Sequence, residues 1–528
     1  MSVIVIGAGL SGLSAACHLA GRGHEVTLVE REDRPGGRGL RRRQEGFVFD
    51  TGPTVMTMPG LVDDALRAVG TTIEAELPMT LLDPAYRAVY ADGSTIHVRH
   101  GIEAMRDEIA RTCGPKDAEA FPRFAAWLKR LYEVEMPHFI DHNFDSPLGL
   151  ASSPKAAATL VRMGGFRRLG PVVRGWFDDE RLHRLFSFQA LYAGLSPEDA
   201  LAIYAVITYM DSIEGVWFPK GGMDAVPAAL AAAAARAGVE QHYGAGVERL
   251  LLDRRGAVSG VALDSGEQLR ADAVVCTLDL PTAYDRLLPQ LKPPRAVRSG
   301  TYSPSAVVWH VGARGLPADG TAHHNIHFGD DWVGSFKALI DDRSLMPDPS
   351  RLVTVPTVTD PTLAPEGCST LYVLEPVPNL TGTVDWETTR PQMAERLTGF
   401  LDANGYPTDI VTDHLMTPLE WRDLGMHEGT PFALAHTFGQ TGPFRPGNLD
   451  RRVPGLVFAG SGTVPGVGVP MVLVSGKLAA DRVDAYLPAP AGGGPARGGL
   501  ARSGSARPGS GGTDGGSTES TESTGSTV

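Results

Sequence analysis

The sequence predicts an α/β fold: a parallel sheet wrapped by helices, with a second domain of mixed α+β character inserted into it. Three observations carry that prediction. Near the start, "VIVI" at residues 3 to 6 leads through Gly7, Gly9 and Gly12 into a helical pattern and then a second apolar run, "EVTLVE". Near the end, the glycine- and proline-rich "VFAGSGTVPGVGVP", residues 457 to 470, joins an apolar run to another helical pattern, "MVLVSGKLAADRV". Between them, residues 100 to 215 are mainly helical in pattern, whereas 300 to 415 mix β-rich stretches such as "SAVVWHVG" with Pro-rich loops.

Composition bounds the reading. A chain of 528 residues, 42% hydrophobic, is long enough for two domains or one large composite fold around a sizeable core. The formal net charge of −13 argues against a nucleic-acid partner, because affinity for polyanions rests largely on Lys and Arg neutralising phosphates. Cys17, Cys113, Cys276 and Cys368 lie far apart and form no CxxC pair, so neither a disulfide framework nor a zinc site is expected. That usage suggests a reducing, cytoplasmic compartment. The apolar N-terminal stretch lacks a basic n-region and is interrupted by glycines, so no export signal is expected. No uncharged apolar run reaches the roughly 18 to 20 residues that span a bilayer as a helix.

Taken in order, residues 3 to 6 read as a buried strand, "LSGLSAACHLAGRG" as a helix ending at Gly23 and "EVTLVE" as a second strand, a βαβ unit. In "AVPAALAAAAARAG", Pro227 stands near the start of a helix and Gly238 just past its end. "VERLLL", "AVSGVAL" and "AVVCTL", separated by "DRRG" and "DSGE", read as a small antiparallel meander. Beyond residue 487 the composition turns to Gly, Ser, Thr and Pro, so 488–528 is expected to be a disordered tail.

Gly7, Gly9 and Gly12 form GxGxxG at a strand-to-helix junction. That spacing allows a tight turn, close backbone approach to a pyrophosphate and a helix N-terminus aimed at its charge, the Rossmann-like arrangement. Glu30, at the end of the second strand, is placed to accept hydrogen bonds from ribose hydroxyls. Arg31 is compatible with a 2′-phosphate or with a solvated surface position. If "GLVFAG" is a further strand of the same domain, Gly460 lets backbone approach the cofactor, and the following helix turns its first amides toward it.

Several segments carry a resemblance. The turn Gly36-Gly37-Arg38 and "FDTGPTV", residues 49 to 55, resemble elements of the FAD-containing amine oxidase and phytoene desaturase superfamily. The C-terminal "GSGTVPGVGVPMVLVSGKLAADRV" and "FSFQALYAGLSPEDALAIYAVITYMDSIEGVWFPKGGM" at 186 to 223 are similar to blocks of bacterial CrtI-type phytoene desaturases, as are "AHHNIHFG" and "LEPVPNL". The likeness runs from residue 1 to about 487. It implies a glutathione-reductase-like FAD-binding domain made of residues 1–75, 216–298 and 416–487, and a substrate- and membrane-facing domain made of 76–215 and 299–415. It implies cofactor contacts at Gly7, Gly9, Ser11, Gly12, Glu30, Gly36, Gly37, Arg38, Gly52, Pro53, Thr54, Val247, Gly460, Thr463, Val469, Pro470 and Met471. Two departures stand out: Met471 occupies a position where many relatives carry glycine, and Ser461-Gly462-Thr463 replaces the usual Gly-Asp pair.

What the resemblance implies chemically is stepwise desaturation of phytoene toward lycopene. Hydride leaves an allylic carbon for FAD, a neighbouring carbon loses a proton, and a quinone or oxygen takes the electrons onward. It leaves open a desaturase of C30 or hydroxylated carotenoids, a carotene isomerase, a flavin amine oxidase and a non-catalytic prenyl-binding escort protein. No catalytic residue is assigned: Asp211, Glu214 and Asp224 lie in or near the central block but read as capping or solvated carboxylates. No metal is expected, since on a strand His324 faces away from His323 and His327. A C40 hydrocarbon resides among lipid tails, so peripheral attachment to a membrane is expected. The candidate segment, Lys155 to Phe177, has five basic residues and no acidic one, interleaved with Val161, Met163, Phe166 and Trp176. The same pattern fits a pair of packed helices with solvated arginines.

Overall fold

The computed structural model describes residues 1–146, 149 and 153–487, which pack as one compact unit. The expected tail, 488–528, lies outside the described residues.

Two sheets organise the unit. The first has five strands in the spatial order Leu456–Phe458, Ala273–Cys276, Ser2–Ile6, Glu25–Val29 and Glu240–His242, every neighbouring pair parallel. Ser2–Ile6, Ala273–Cys276 and Leu456–Phe458 are buried almost throughout, and so read as unbroken apolar runs rather than alternations. This corrects the expected meander. Val247–Leu252 and Val258–Leu263 do pair antiparallel, but their third strand is the half-exposed Gln268–Arg270. "AVVC" instead joins the parallel sheet beside Ser2–Ile6, because a run with no polar side needs cover on both faces.

Helices Leu10–Gly21, Ala225–Arg236 and Val469–Tyr486 share one apolar core against this sheet. The last helix crosses the first at Gly476, where a Cβ would lie 2.3 Å from the Ser11 carbonyl oxygen; only glycine permits so close a crossing. The Ser14 hydroxyl donates to the Leu473 carbonyl at 2.8 Å across the same contact. The two ends of the described chain are thereby fastened together.

The second sheet has seven strands in the order Asp409–Met416, Ser305–Arg314, Cys368–Val377, Arg351–Thr354, His324–His327, Tyr86–Val89 and Thr95–Val98. All neighbours are antiparallel except His324–His327 with Tyr86–Val89. Val307, Trp309 and Val373 pack onto the helix Trp386–Ala403 through Met393, Leu397 and Leu401. The alternating positions face the other way, where Val308 pairs with Leu374 and Ala306 with Pro376. A helical layer between residues 102 and 213 covers that side. Its core is aromatic, with Phe124 5.0 Å from Phe177 and 5.3 Å from Phe186 between ring centroids. Two π-helical turns interrupt it, Met136–Ile140 and Tyr209–Ile213.

The first sheet thus draws its strands from residues 2–29, 240–276 and 456–458, the second from 86–98 and 305–416. The chain passes between them beside the two-stranded pair Met79–Leu81 and Trp217–Pro219.

Candidate functional site

A cavity of about 1650 Å³ is lined from both sheets, polar at one end and apolar at the other. At the polar end the turn after Ser2–Ile6 contributes Gly7, Gly9 and Ser11. Gly12 does not line the cavity. A Cβ on it would sit 1.9 Å from the Gly7 carbonyl oxygen, so this glycine lets the helix start hard against the strand. The buried Glu30 carboxylate accepts from the backbone N–H of Ala8 at 2.6 Å and of Glu32 at 3.0 Å. It therefore shapes the glycine turn, while each oxygen keeps lone-pair capacity toward the cavity. Gly36 N–H donates to the Ala8 carbonyl at 3.0 Å, bringing the second glycine loop against the first. Gly36, Gly37, Arg38, Gly52, Pro53, Thr54 and Val247 all line this end.

The C-terminal loop closes the seat. Gly460 N–H donates to the Ser475 hydroxyl at 3.0 Å, and the Thr463 hydroxyl donates to the Gly460 carbonyl at 3.1 Å. Thr463 thus holds the loop in shape without lining the cavity, unlike Gly460, Val469, Pro470 and Met471. Arg38 donates to the Ser461 hydroxyl at 2.7 Å and to the Pro431 carbonyl, tying the N-terminal loop to the C-terminal one. Behind the loop the buried Arg445 donates to the carbonyls of Thr463 at 3.0 Å, Leu434 at 3.1 Å and Ser461 at 2.6 Å. Burial pulls its pKa down to about 10. Sequence reading missed Arg445; an arginine just before a Gly/Pro-rich segment reads as surface, and no local signal marks it as buried. The helix Val469–Tyr486 carries no acidic residue in its first turn, so its positive end is left open to the cavity. Glycine turns with close-packed backbone, an acidic acceptor, a buried arginine and two helix N-termini fit a flavin dinucleotide.

The other end is an apolar arm. It is lined by Val308, Leu374 and Met416 of the second sheet and by Leu191, Ile207 and Met210 of the helical layer. Its lining includes Phe166 and Phe438, which are 45% and 63% exposed, together with Phe444, whose ring centroid lies 5.9 Å from that of Phe438. Exposed aromatics thus rim the cavity. In the segment Lys155 to Phe177, Leu169, Val173 and Phe177 face the core, while Val161 and Phe166 face outward beside exposed Arg162 and Arg167. Arg168 and Arg174 are engaged by the Asp199 carbonyl and the Glu198 carboxylate. No helix of the described residues is long and apolar enough to cross a membrane.

Among the acidic residues lining the cavity, Glu135 and Asp211 come from the helical layer. Asp211 is not the capping or solvated carboxylate expected: it is buried, and desolvation pushes its pKa up to about 7. Its signal in the sequence was its setting, a lone acid within the apolar run "ALAIYAVITYMD". Glu214 accepts from the Tyr209 hydroxyl at 2.6 Å and Asp224 pairs with Arg41. The histidine reading also needs correction, because the strand begins at His324 and leaves His323 outside the alternation, its ring 4.5 Å from that of His324. The three take separate partners: His323 Thr359, His324 Thr354 and His327 Tyr406. Among the described residues no group of three His, Cys, Asp or Glu is placed to hold a metal ion.

Residues 10–484 match the model of the flavin containing amine oxidoreductase family. The chain is 49% identical over 488 residues to the phytoene dehydrogenase of Streptomyces griseus, covering 91% of this chain and 94% of that one. It is 37% identical over 492 residues to the zeta-carotene-forming phytoene desaturase of Myxococcus xanthus, covering 91% and 93%. In fold it is similar to an oxidoreductase from Methanosarcina mazei, with a TM-score of 0.58 at 19% identity over 91% of this chain and 100% of that one.

Proposed function

The chain belongs to the flavin containing amine oxidoreductase family, and from that premise we propose that it is an FAD-dependent phytoene desaturase acting stepwise toward lycopene. The observation that carries the reading is the two-ended cavity: a glycine-lined polar seat opening directly into an apolar arm. The relatives named for phytoene match along nearly the whole chain.

We assign the FAD contacts to Gly7, Gly9, Ser11, Glu30, Gly36, Gly37, Arg38, Gly52, Pro53, Thr54, Val247, Gly460, Val469, Pro470 and Met471. Gly12 and Thr463 shape the seat from behind. Bound FAD supplies the two-electron acceptor for a hydride leaving an allylic carbon. The rest of the work falls to the chain. Val308, Leu374 and Met416 hold the polyene by apolar burial, at about 25 cal/mol per Å² removed from water, and keep water from the reacting carbons. The opening amides of the last helix set a positive potential at the seat. The exposed Val161, Phe166, Phe438 and Phe444, with Arg162 and Arg167 beside them, form a rim that meets an anionic bilayer and admits substrate from it. A quinone or oxygen takes the electrons away.

The test is to incubate purified protein and FAD with phytoene in liposomes, with and without a quinone, following polyene absorption and product mass. Successive losses of two hydrogens with growing visible absorption are expected; unchanged phytoene under every condition refutes the reading. Turnover of C30 or hydroxylated carotenoids alone would move the assignment to those substrates.

A further inference from the structure

We propose that Asp211 is the catalytic residue that accepts the proton in each desaturation step, an inference that rests on the reading above. Asp211 sits in the π-helical turn Tyr209–Ile213, a widened turn that aims its side chain into the cavity wall. It is 2% exposed. A buried structural carboxylate is normally paired with a cation. Asp211 has no ion pair among the described residues: the Ser212 hydroxyl donates at 2.8 Å and Gln189 Nε2 stands 3.4 Å from both carboxylate oxygens. Two phenols, Tyr86 and Tyr192, face it: burial raises both their pKa values, and the Asp211 charge adds to the rise. Burial leaves its own carboxyl at about 7, where it is ionised often enough to take a proton and acidic enough to release it. Other acids nearby do not meet the need. Burial pushes the Glu135 carboxyl well above the usual carboxylate range, which disfavours the ionised form a proton acceptor needs, and Glu214 is engaged by Tyr209.

Polar side chains also lie between Asp211 and the seat, and between Asp211 and the outside. Thr54 Oγ1 lies 3.1 Å from Thr354 Oγ1, which lies 3.0 Å from His324 Nδ1, and the His324 ring is 5.7 Å from that of Tyr86. Outward, His324 touches His323, whose Nδ1 is 2.7 Å from the hydroxyl of the partly exposed Thr359. Among the described residues Nε2 of both histidines has no hydrogen-bond partner. Substrate loses a hydride, with its electron pair, to the FAD acceptor, leaving an allylic cation; the neighbouring C–H bond breaks, its electron pair becomes the second bond of the alkene, and its proton passes to an Asp211 carboxylate oxygen. Asp211 then releases the proton to solvent before the next step.

The experiment compares FAD-loaded wild type and Asp211→Asn with phytoene in liposomes across pH. Wild-type kcat/KM should fall as pH drops through about 7, where the carboxylate gains its proton. Asp211→Asn should lose about 100-fold or more in rate with no such pH limb, while keeping its flavin, and Asp211→Glu should restore part of both. Without substrate, an infrared carboxylic-acid band that titrates near neutrality should be present in wild type and missing from Asp211→Asn. An Asn variant within about threefold of wild type, or a wild-type profile flat from about pH 5 to about 9, overturns the proposal. If Asp211→Asn fails to take up FAD, the wild-type profile and infrared titration decide alone. Wild type that makes no polyene at any pH refutes the desaturase reading itself, and the role of Asp211 falls with it.

Discussion

The two ends of the cavity are built on opposite principles. The nucleotide seat is made of backbone: glycine turns, the amides of Ala8 and Glu32 held by Glu30, and the carbonyls gathered by Arg445. The apolar arm is made of side chains, Val308, Leu374 and Met416 with Ile207 and Met210, contributed by a sheet and a helical layer far apart in the chain. Backbone placed by a turn has one workable position, so a change there is all or nothing. Side chains share a surface, so a change in the arm is felt in proportion to the area it removes.

The contrast can be broken most sharply at Gly12. Gly12→Val drives a branched side chain into the Gly7 carbonyl and is expected to leave purified protein with under about a tenth of its flavin, read from the flavin absorbance per chain. If FAD binding survives, the seat is not rigid. Next in size is the buried acid from the helical layer. Asp211 is protonated in the folded protein up to about 7 but ionises near 3.8 when unfolded, so the folded state binds the extra proton between those values. Stability should therefore fall as pH rises through that window, by at most about 4 kcal/mol, and Asp211→Asn should flatten the dependence. Denaturant midpoints taken across that range for both proteins give the answer; a midpoint rising with pH only in wild type would contradict it. Glu30→Ala removes the acceptor of the buried Ala8 amide and the half-buried Glu32 amide, for a loss of about 2 to 3 kcal/mol in FAD affinity by flavin titration. Arg162→Ala with Arg167→Ala should weaken co-sedimentation with anionic liposomes by about 1 kcal/mol per charge, leaving flavin content untouched. Smallest is Leu374→Ala, expected to raise KM for phytoene by about three- to tenfold through lost apolar contact, with kcat and FAD binding nearly unchanged. An abrupt loss of FAD there would erase the distinction between the ends.

Legibility follows the same divide. Gly7, Gly9, Gly12 and Glu30 could be read because backbone chemistry demands particular residues at fixed spacing within one βαβ unit. "AVVC" was misplaced because an apolar run states that a strand is buried without stating beside which neighbour. Asp211 was misread, and Phe438 and Phe444 of the rim were missed, for a related reason. An acid ending an apolar run also fits a cap and an aromatic among glycines and prolines also fits a loop, and only the layers folded around them make one buried and the others a rim.

What the sequence determined by itself is the turn that receives a dinucleotide and the helices and strands that frame it, since those depend on interactions within some thirty residues. Tertiary structure alone decided that residues 7 and 460 face one cavity, that Arg445 is buried behind it and that Asp211 stands in its wall. Burial and proximity are properties of the packed chain, and the free energy that shifts a carboxyl or orients a buried arginine exists only once water has been removed.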